Sequence, residues 1–304
     1  MFREIPGLPM ETIAGVLEAE SRSQPMEKDK MSGKRSPFRR NQNRFILQER
    51  DRQILIALYQ FRFLTNEQLL SLFNFGCLTR INVRLRKLFD NQYVSRRFLN
   101  NPCGQARILH FPGPEAGDII AQQLKIDSLA VRKRRGRILK QKDSSLNRYL
   151  LINKFRLALV LAFKTQLQTK CEHWRVQKEV PLKLENNFYP DAYFKYSCQD
   201  ENFNVFLEID HPFKNKEQFQ EKVEKYLRYG MEGGFEKQFG FRFFRVLVIT
   251  ANQNRLKHLL KIIEGTTDKM FWLTTWEMIS PEKILTAIWV RPEREGLFSL
   301  LEAK

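Results

Sequence analysis

The apolar residues change their period once along the 304-residue chain, and that change limits the folds open to it. From residue 45 to residue 163 they recur mainly at helical spacing, with two short extended runs in between. From residue 174 onward, extended runs of aromatic and β-branched residues alternate with helical ones. Net charge shifts over much the same division. The total of +18 is shared as +3 over residues 1–44, +6 over 45–112, +9 over 113–170 and zero over 171–304. So uneven a balance points the N-terminal half at a polyanion, nucleic acid ahead of a membrane surface or simple solubility, and leaves other work to the C-terminal half. With 42% hydrophobic residues, the chain can supply cores for two domains.

Residues 1–44 mix Gly, Pro, Ser and charge, and Lys28 to Arg44 holds seven basic residues against one acidic. This composition reads as a disordered basic arm, either lying along phosphates or simply solvated, with a short helix around Met10–Ala19. Residues 45–112 carry a sharper pattern. Leu47, Asp51, Ile54, Leu55 and Leu58 set a helix over Gln48–Gln60. Thr65-Asn66-Glu67-Gln68 is a capping box for a second helix bearing Leu69, Leu70 and Phe73. A third helix, Leu78–Asp90, is expected to bury Leu78, Ile81, Leu85 and Leu88. Two extended runs follow, Tyr93–Phe98 and Arg107–Phe111. Three short helices and a basic hairpin spell a winged helix-turn-helix over residues 45–112.

In such a module the third helix enters a major groove of double-stranded DNA. Thr79, Arg80, Asn82, Arg84, Arg86 and Lys87 line its non-apolar faces, with Arg84 and Arg86 the candidates for base contacts. Arg96, Arg97 and Arg107 of the hairpin are candidates for backbone grips. Use of the same fold for protein docking, or an ordinary solvated face, are the alternatives. Residues 113–170 read as a basic helical connector: a short helix Pro114–Leu124, then Arg132, Lys133, Arg134 and Arg135, then a long amphipathic helix from Leu146 to Phe163. The cluster suits a phosphate clamp or a solvated linker.

The C-terminal half, 171–304, reads as a mixed sheet flanked by helices, making the whole chain α+β. Its expected strands are Trp174–Leu182, Tyr189–Tyr196, Asn202–Asp210, Phe243–Thr250 and Met270–Thr274. Its expected helices are Asn215–Tyr229 and Gln253–Glu264. By strand period, Asn204, Phe206, Glu208 and Asp210 share one face and Phe203, Val205, Leu207 and Ile209 the other. If the preceding strand pairs antiparallel, Asp191 approaches Glu208 and Asp210. Three carboxylates at strand ends would suit Mg²⁺ or Mn²⁺, with Lys222 of the next helix near a phosphate. The plain alternative is that Glu208 and Asp210 merely end a strand while Asp191 follows Pro190 in a turn.

Pro190-Asp191 on one strand and Glu208-Ile-Asp210 ending the next resemble the PD-(D/E)xK restriction-endonuclease-like superfamily. Asp210 stands where that motif has Lys. The order of winged helix, basic connector, Pro190-Asp191-Ala192, Leu207-Glu208-Ile209-Asp210 and Lys222-Val-Glu-Lys225-Tyr226 is similar to the replication-relaxation family of plasmid and mobile-element proteins. The resemblance covers residues 46–290. It implies a DNA-binding protein of replication and DNA relaxation carrying a nuclease-like domain. Asp191 would match the metal-binding Asp, Glu208 the central acid, and Lys222 would supply the cation that Asp210 does not. A divalent-metal-dependent nickase is one reading. A non-catalytic regulator with a degenerate nuclease fold is another, and a nuclease subunit of a transposition or defence system a third. Other replication, mobilisation or transposition proteins are the expected partners.

Several classes drop out. No apolar run approaches the ~20 residues of a membrane span, and no signal-peptide block opens the sequence, so a cytoplasmic location is expected. Cys77, Cys103, Cys171 and Cys198 lack CxxC spacing, and His110, His173, His211 and His258 fit no zincin or triad pattern. No glycine-rich phosphate loop is present, which argues against an ATPase or dinucleotide enzyme.

Overall fold

Backbone capping starts the first helices. In α1 (Glu49–Gln60) the Gln48 N–H donates to the Asp51 carboxylate at 2.7 Å, meeting one of the donors a helix start leaves open. In α2 (Asn66–Phe73) the exchange is reciprocal. Thr65 N–H donates to Gln68 Oε1 at 3.1 Å, and Gln68 N–H to Thr65 Oγ1 at 3.3 Å. This computed structural model describes residues 45–302 except 74, 102, 103, 167, 168, 177–187, 200 and 211–215. The arm at 1–44 with its Met10–Ala19 helix, the strand residues expected after Val176, His211 and Asn215 therefore lie outside the described residues.

Helix α3 (Leu78–Asp90) buries Ile81, Leu85 and Leu88, one stripe at helical spacing. Leu78, expected in that stripe, is 42% exposed. It opens the helix beside exposed Thr79 and Arg80, one turn ahead of the first core contact. Strands β1 (Val94–Asn101) and β2 (Gly104–Pro112) pair antiparallel, with Val94 opposite Pro112 and Arg97 opposite Leu109. Leu64 adds a two-way backbone bridge to His110 at 3.0 and 2.9 Å.

A 3₁₀ turn at Pro114–Ala116 leads into α4 (Gly117–Leu124), α5 (Ser128–Lys140) and α6 (Asp143–Thr165). The chain forms two compact units that meet in sequence between Asn153 and Lys154, within α6. Residues 113–153 thus belong to the first unit. Helix α4 packs on α1, α5 packs on α4, and Ile120, Val131 and Ile138 are buried despite the charges around them. Asn153 is tied into the same unit, donating from Nδ2 to the carbonyls of Phe61 at 3.1 Å and Phe63 at 2.7 Å.

The second unit is built on five strands in chain order: β3 (Thr169–Val176), β4 (Ala192–Cys198), β5 (Glu201–Ile209), β6 (Arg245–Thr250) and β7 (Phe271–Thr275). β3, β4 and β5 are antiparallel neighbours, whereas β5, β6 and β7 run parallel. Parallel neighbours require crossovers. Helices α7 (Lys216–Met231) and α8 (Gly234–Phe239) make the first, and α9 (Gln253–Ile263) makes the second. One face of the sheet carries Phe206, Val246, Val248, Phe271 and Leu273 under Phe219, Val223, Tyr226, Leu256 and Leu259 of these helices. On the other face, Phe155 and Phe163 of α6 meet Trp174, Phe194 and Tyr196 at ring-centroid distances of 5.8–6.3 Å. β5 is consequently buried on both sides from Phe203 to Ile209.

Arg245, at the start of β6, is also buried. Its guanidinium lies 4.3 Å from the ring centroids of both Phe203 and Trp272. It donates to the Tyr196 hydroxyl at 2.9 Å and to the carbonyls of Leu300 at 3.0 Å and Glu302 at 2.7 Å.

In the first unit, Asp51 of α1 is fully buried, and Arg84 of α3 closes on its carboxylate with both Nε and Nη2. Removing one member of such a pair leaves the other buried and unneutralised. Asp51→Ala should therefore cost about 3 kcal/mol, read as a lower urea midpoint for the first unit.

Candidate functional site

Helix α3 turns Thr79, Arg80, Asn82, Val83, Arg86 and Lys87 to solvent. Arg86 is 74% exposed, with Asp90 at the 4.0 Å edge of ion-pair range. Val83 is 52% exposed on the same surface, where sequence reasoning had marked only polar residues. Its signal was spacing: Thr79, Asn82, Val83 and Arg86 form an i, i+3, i+4, i+7 stripe. Arg84 faces inward to Asp51 and stacks 4.9 Å from the Phe45 ring.

The hairpin arginines differ among themselves. Arg107 is exposed. Arg96 is half-buried, 4.3 Å from the Phe89 ring, and burial lowers its guanidinium pKa. Arg97 donates to the carbonyls of Ile138 at 2.8 Å and Leu139 at 3.2 Å, and to the Asp143 carboxylate at 2.7 Å. It thereby satisfies the open acceptors at the C-terminus of α5, where a cation also meets the helix dipole favourably. On α5, Arg132 and Lys133 are exposed, while Arg134 and Arg135 are half-buried and Arg134 lies 4.7 Å from the Tyr59 ring. Arg132 is within 3.5 Å of Asp118.

Behind α3 lies a polar chain. His110 Nε2 meets Asn66 Oδ1 at 2.5 Å, and Asn66 Nδ2 donates to Asn82 Oδ1 at 2.5 Å. Burial, and then the Arg96 charge, push the His110 pKa down to about 3.

At the other end of the molecule's chemistry, β5 delivers Glu208 to the face beneath α7. Tyr226 donates its hydroxyl to Glu208 Oε1 at 2.8 Å, and Lys222, one turn earlier on α7, donates to Oε2. Ala192 is opposite Leu207 in the antiparallel register, so Asp191 falls opposite Glu208. Asp191 N–H donates to the Leu207 carbonyl at 3.0 Å, and Asp191 Oδ2 accepts from Ile209 N–H at 2.8 Å. Burial raises the Tyr226 pKa well above its usual value, and the charges of Glu208 and Asp191 add to that rise.

Asp210 goes elsewhere. Arg255, in the first turn of α9, forks onto it with Nε at 2.8 Å and Nη2 at 2.9 Å, and Thr250 of β6 donates at 3.0 Å. Asp191, Glu208 and Asp210 are thus each met by protein donors. Among the described residues, no three His, Cys, Asp or Glu side chains are grouped to hold a metal ion. The residues present do not fit the expected three-carboxylate Mg²⁺ or Mn²⁺ centre: Asp191, just before β4, falls opposite Glu208 of β5, while Asp210 is neutralised by an arginine that sequence reasoning did not mark. Among the described residues no helix is long and apolar enough to cross a membrane.

A family model described as Replication-relaxation matches residues 55–242, from α1 to the approach of β6. The chain belongs to the replication-relaxation family. The family match takes in Thr65–Gln68, all of α3, and Asp191, Glu208, Lys222 and Tyr226; Arg255 lies beyond it. Two structures of the restriction endonuclease FokI, one of them bound to DNA, are similar at 10% and 11% identity, with TM-scores of 0.30 and 0.28. Each match covers 76% of this chain and 43% of the FokI chain. No curated protein matches this member of the family.

Two measurements check these assignments. Arg255→Ala strands the Asp210 carboxylate, whose side chain is 1% exposed, and should cost about 3 kcal/mol in urea unfolding. His110 has a folded pKa below the ordinary 6.5, so the unfolded chain binds the extra proton as pH falls. Its contribution is intact above pH 6.5 and lost progressively toward pH 3. His110→Gln should flatten the acid loss between pH 6 and 4 by about 1.4 kcal/mol per pH unit.

Proposed function

We propose that this replication-relaxation protein binds duplex DNA through its first unit, which acts as a winged helix with α3 in the major groove and the β1–β2 hairpin as the wing. The observation that carries this reading is the surface of α3. Three cations and two small polar side chains stand exposed around Val83, on a helix whose apolar stripe is already used in the core. Residues 45–153 hold a net charge of +11, against +4 for residues 154–304. That favours phosphate contact through the first unit. Arg80, Arg86 and Lys87 are assigned to DNA, with Arg107, Arg132 and Lys133 as backbone contacts. Arg84 and Arg97, both engaged inside the unit, act by holding α3 and α5 in place. In this reading the strand-end carboxylates of the second unit are structural.

A second reading, metal-dependent nicking, is favoured by Asp191 falling opposite Glu208 with Lys222 beside it. Plasmid relaxation separates the two. On the first reading supercoiled plasmid stays intact with Mg²⁺ or Mn²⁺. Nicking that Glu208→Gln abolishes while DNA binding persists would install the second.

Binding itself is tested by fluorescence anisotropy on duplex DNA. If about six phosphates are neutralised, affinity should fall by about 10³ between 50 and 200 mM salt. Replacing Arg80, Arg86 and Lys87 with Ala together should lower the salt slope by about three. Replacing exposed Lys257 and Lys261 of α9 should leave it unchanged. Equal effects from the two sets, or no salt-dependent binding, would overturn the proposal.

A further inference from the structure

The chain from His110 through Asn66 to Asn82 has a direction. His110 sits on β2, 1% exposed, and its Nδ1 has no hydrogen-bond partner among the described residues. With the proton on Nε2, that nitrogen donates to Asn66 Oδ1, and the bare Nδ1 is an acceptor, not a stranded donor. Held neutral by burial, the ring keeps this arrangement at physiological pH. Asn66 has its oxygen occupied and spends its N–H on Asn82 Oδ1. The carbonyl side of the Asn82 amide is therefore turned toward α2, and its two N–H donors remain for whatever lies against exposed α3.

This matters because an asparagine reads adenine by presenting both ends of its amide at once, the oxygen to N6–H and the N–H to N7. An Asn82 whose oxygen is drawn back onto Asn66 has that end of its amide turned toward α2 and is not placed to do so. We infer that Asn82 is a specificity-determining residue, positioned by Asn66, that offers donors only and so favours guanine or thymine over adenine and cytosine. Guanine presents two acceptors, N7 and O6, and thymine presents O4, whereas adenine sets its N7 beside an amino group that opposes a second N–H and cytosine presents an amino group alone. Val83, next on the helix and 52% exposed, adds an apolar surface of the kind that meets a thymine methyl.

The inference rests on the duplex-binding reading above, and its test keeps the two apart. The full chain is used to select duplexes from a randomised library, and base preference at each position is compared among variants. Asn82→Ala should flatten one position that wild type fills with guanine or thymine, a loss of at least about fivefold in preference. Asn66→Asp is the decisive variant. A carboxylate there still accepts from His110 but can only accept from Asn82, which turns the Asn82 amide over and puts its oxygen outward. Asp also suits the first turn of a helix. The same position should then shift toward adenine or cytosine, while Asn66→Ala should leave it without strong preference.

No duplex binding by wild type would remove the functional reading and this inference together. Binding with no preference that depends on Asn82 would overturn the inference alone. So would an adenine at the Asn82-dependent position, or Asn66→Asp and Asn66→Ala both selecting as wild type does.

Discussion

A charge can be buried only if something answers it, and two of them stand at the end of β5 and just past it. Glu208 and Asp210 are 4% and 7% exposed at the close of a strand covered on both faces. Left alone, either buried carboxylate would cost several kcal/mol. The answer comes from the two crossovers. The helix after β5 brings Lys222 and Tyr226 to Glu208, and the helix after β6 brings Arg255 to Asp210. Both helices also lay Phe219, Val223, Tyr226, Leu256 and Leu259 over the sheet. Polar pairing and apolar packing thus agree on the same two placements, and that agreement gives the second unit one arrangement.

In the first unit the arginines have two occupations. Arg84 neutralises Asp51, Arg97 closes the end of a helix, and Arg96 and Arg134 spread over aromatic rings. Such side chains supply charge to the field around the molecule while their guanidinium groups are turned to internal carboxylates, carbonyls or rings. Arg80, Arg86, Lys87, Arg132 and Lys133 keep their heads in solvent. Long-range attraction draws on the whole set, whereas close contact falls to the second group.

Local signals were legible in the sequence and distant pairings were not. The Thr65–Gln68 cap, the limits of Leu78–Asp90 and the strand through Phe203 to Ile209 follow from spacing over a few residues, and the structure has all three. The mixed five-strand sheet with its helices likewise matches the expected order. Helix Gly234–Phe239 escaped notice because six residues bounded by left-handed Gly233 and Gly240 are too short to show a period. Arg84 with Asp51, and Arg255 with Asp210, are partners 33 and 45 residues apart. Neither arginine carries a local mark of its partner. Residues 113–153 looked like a connector because their charge concealed Ile120, Val131 and Ile138, the side chains that fasten them down.

Arg245 makes the second unit depend on residues that are synthesised late. The guanidinium at the head of β6, a strand central to the parallel part of the sheet, is satisfied by carbonyls contributed by Leu300 and Glu302. A ribosome delivers residue 245 long before residue 302. Until then the nascent second unit holds a cation that its own sheet would bury without those two acceptors. The first unit, whose contacts close by Asn153, has no such wait. The acceptors that complete Arg245 thus lie 55 and 57 residues further along the chain, whereas the contacts of the first unit are complete in sequence by Asn153.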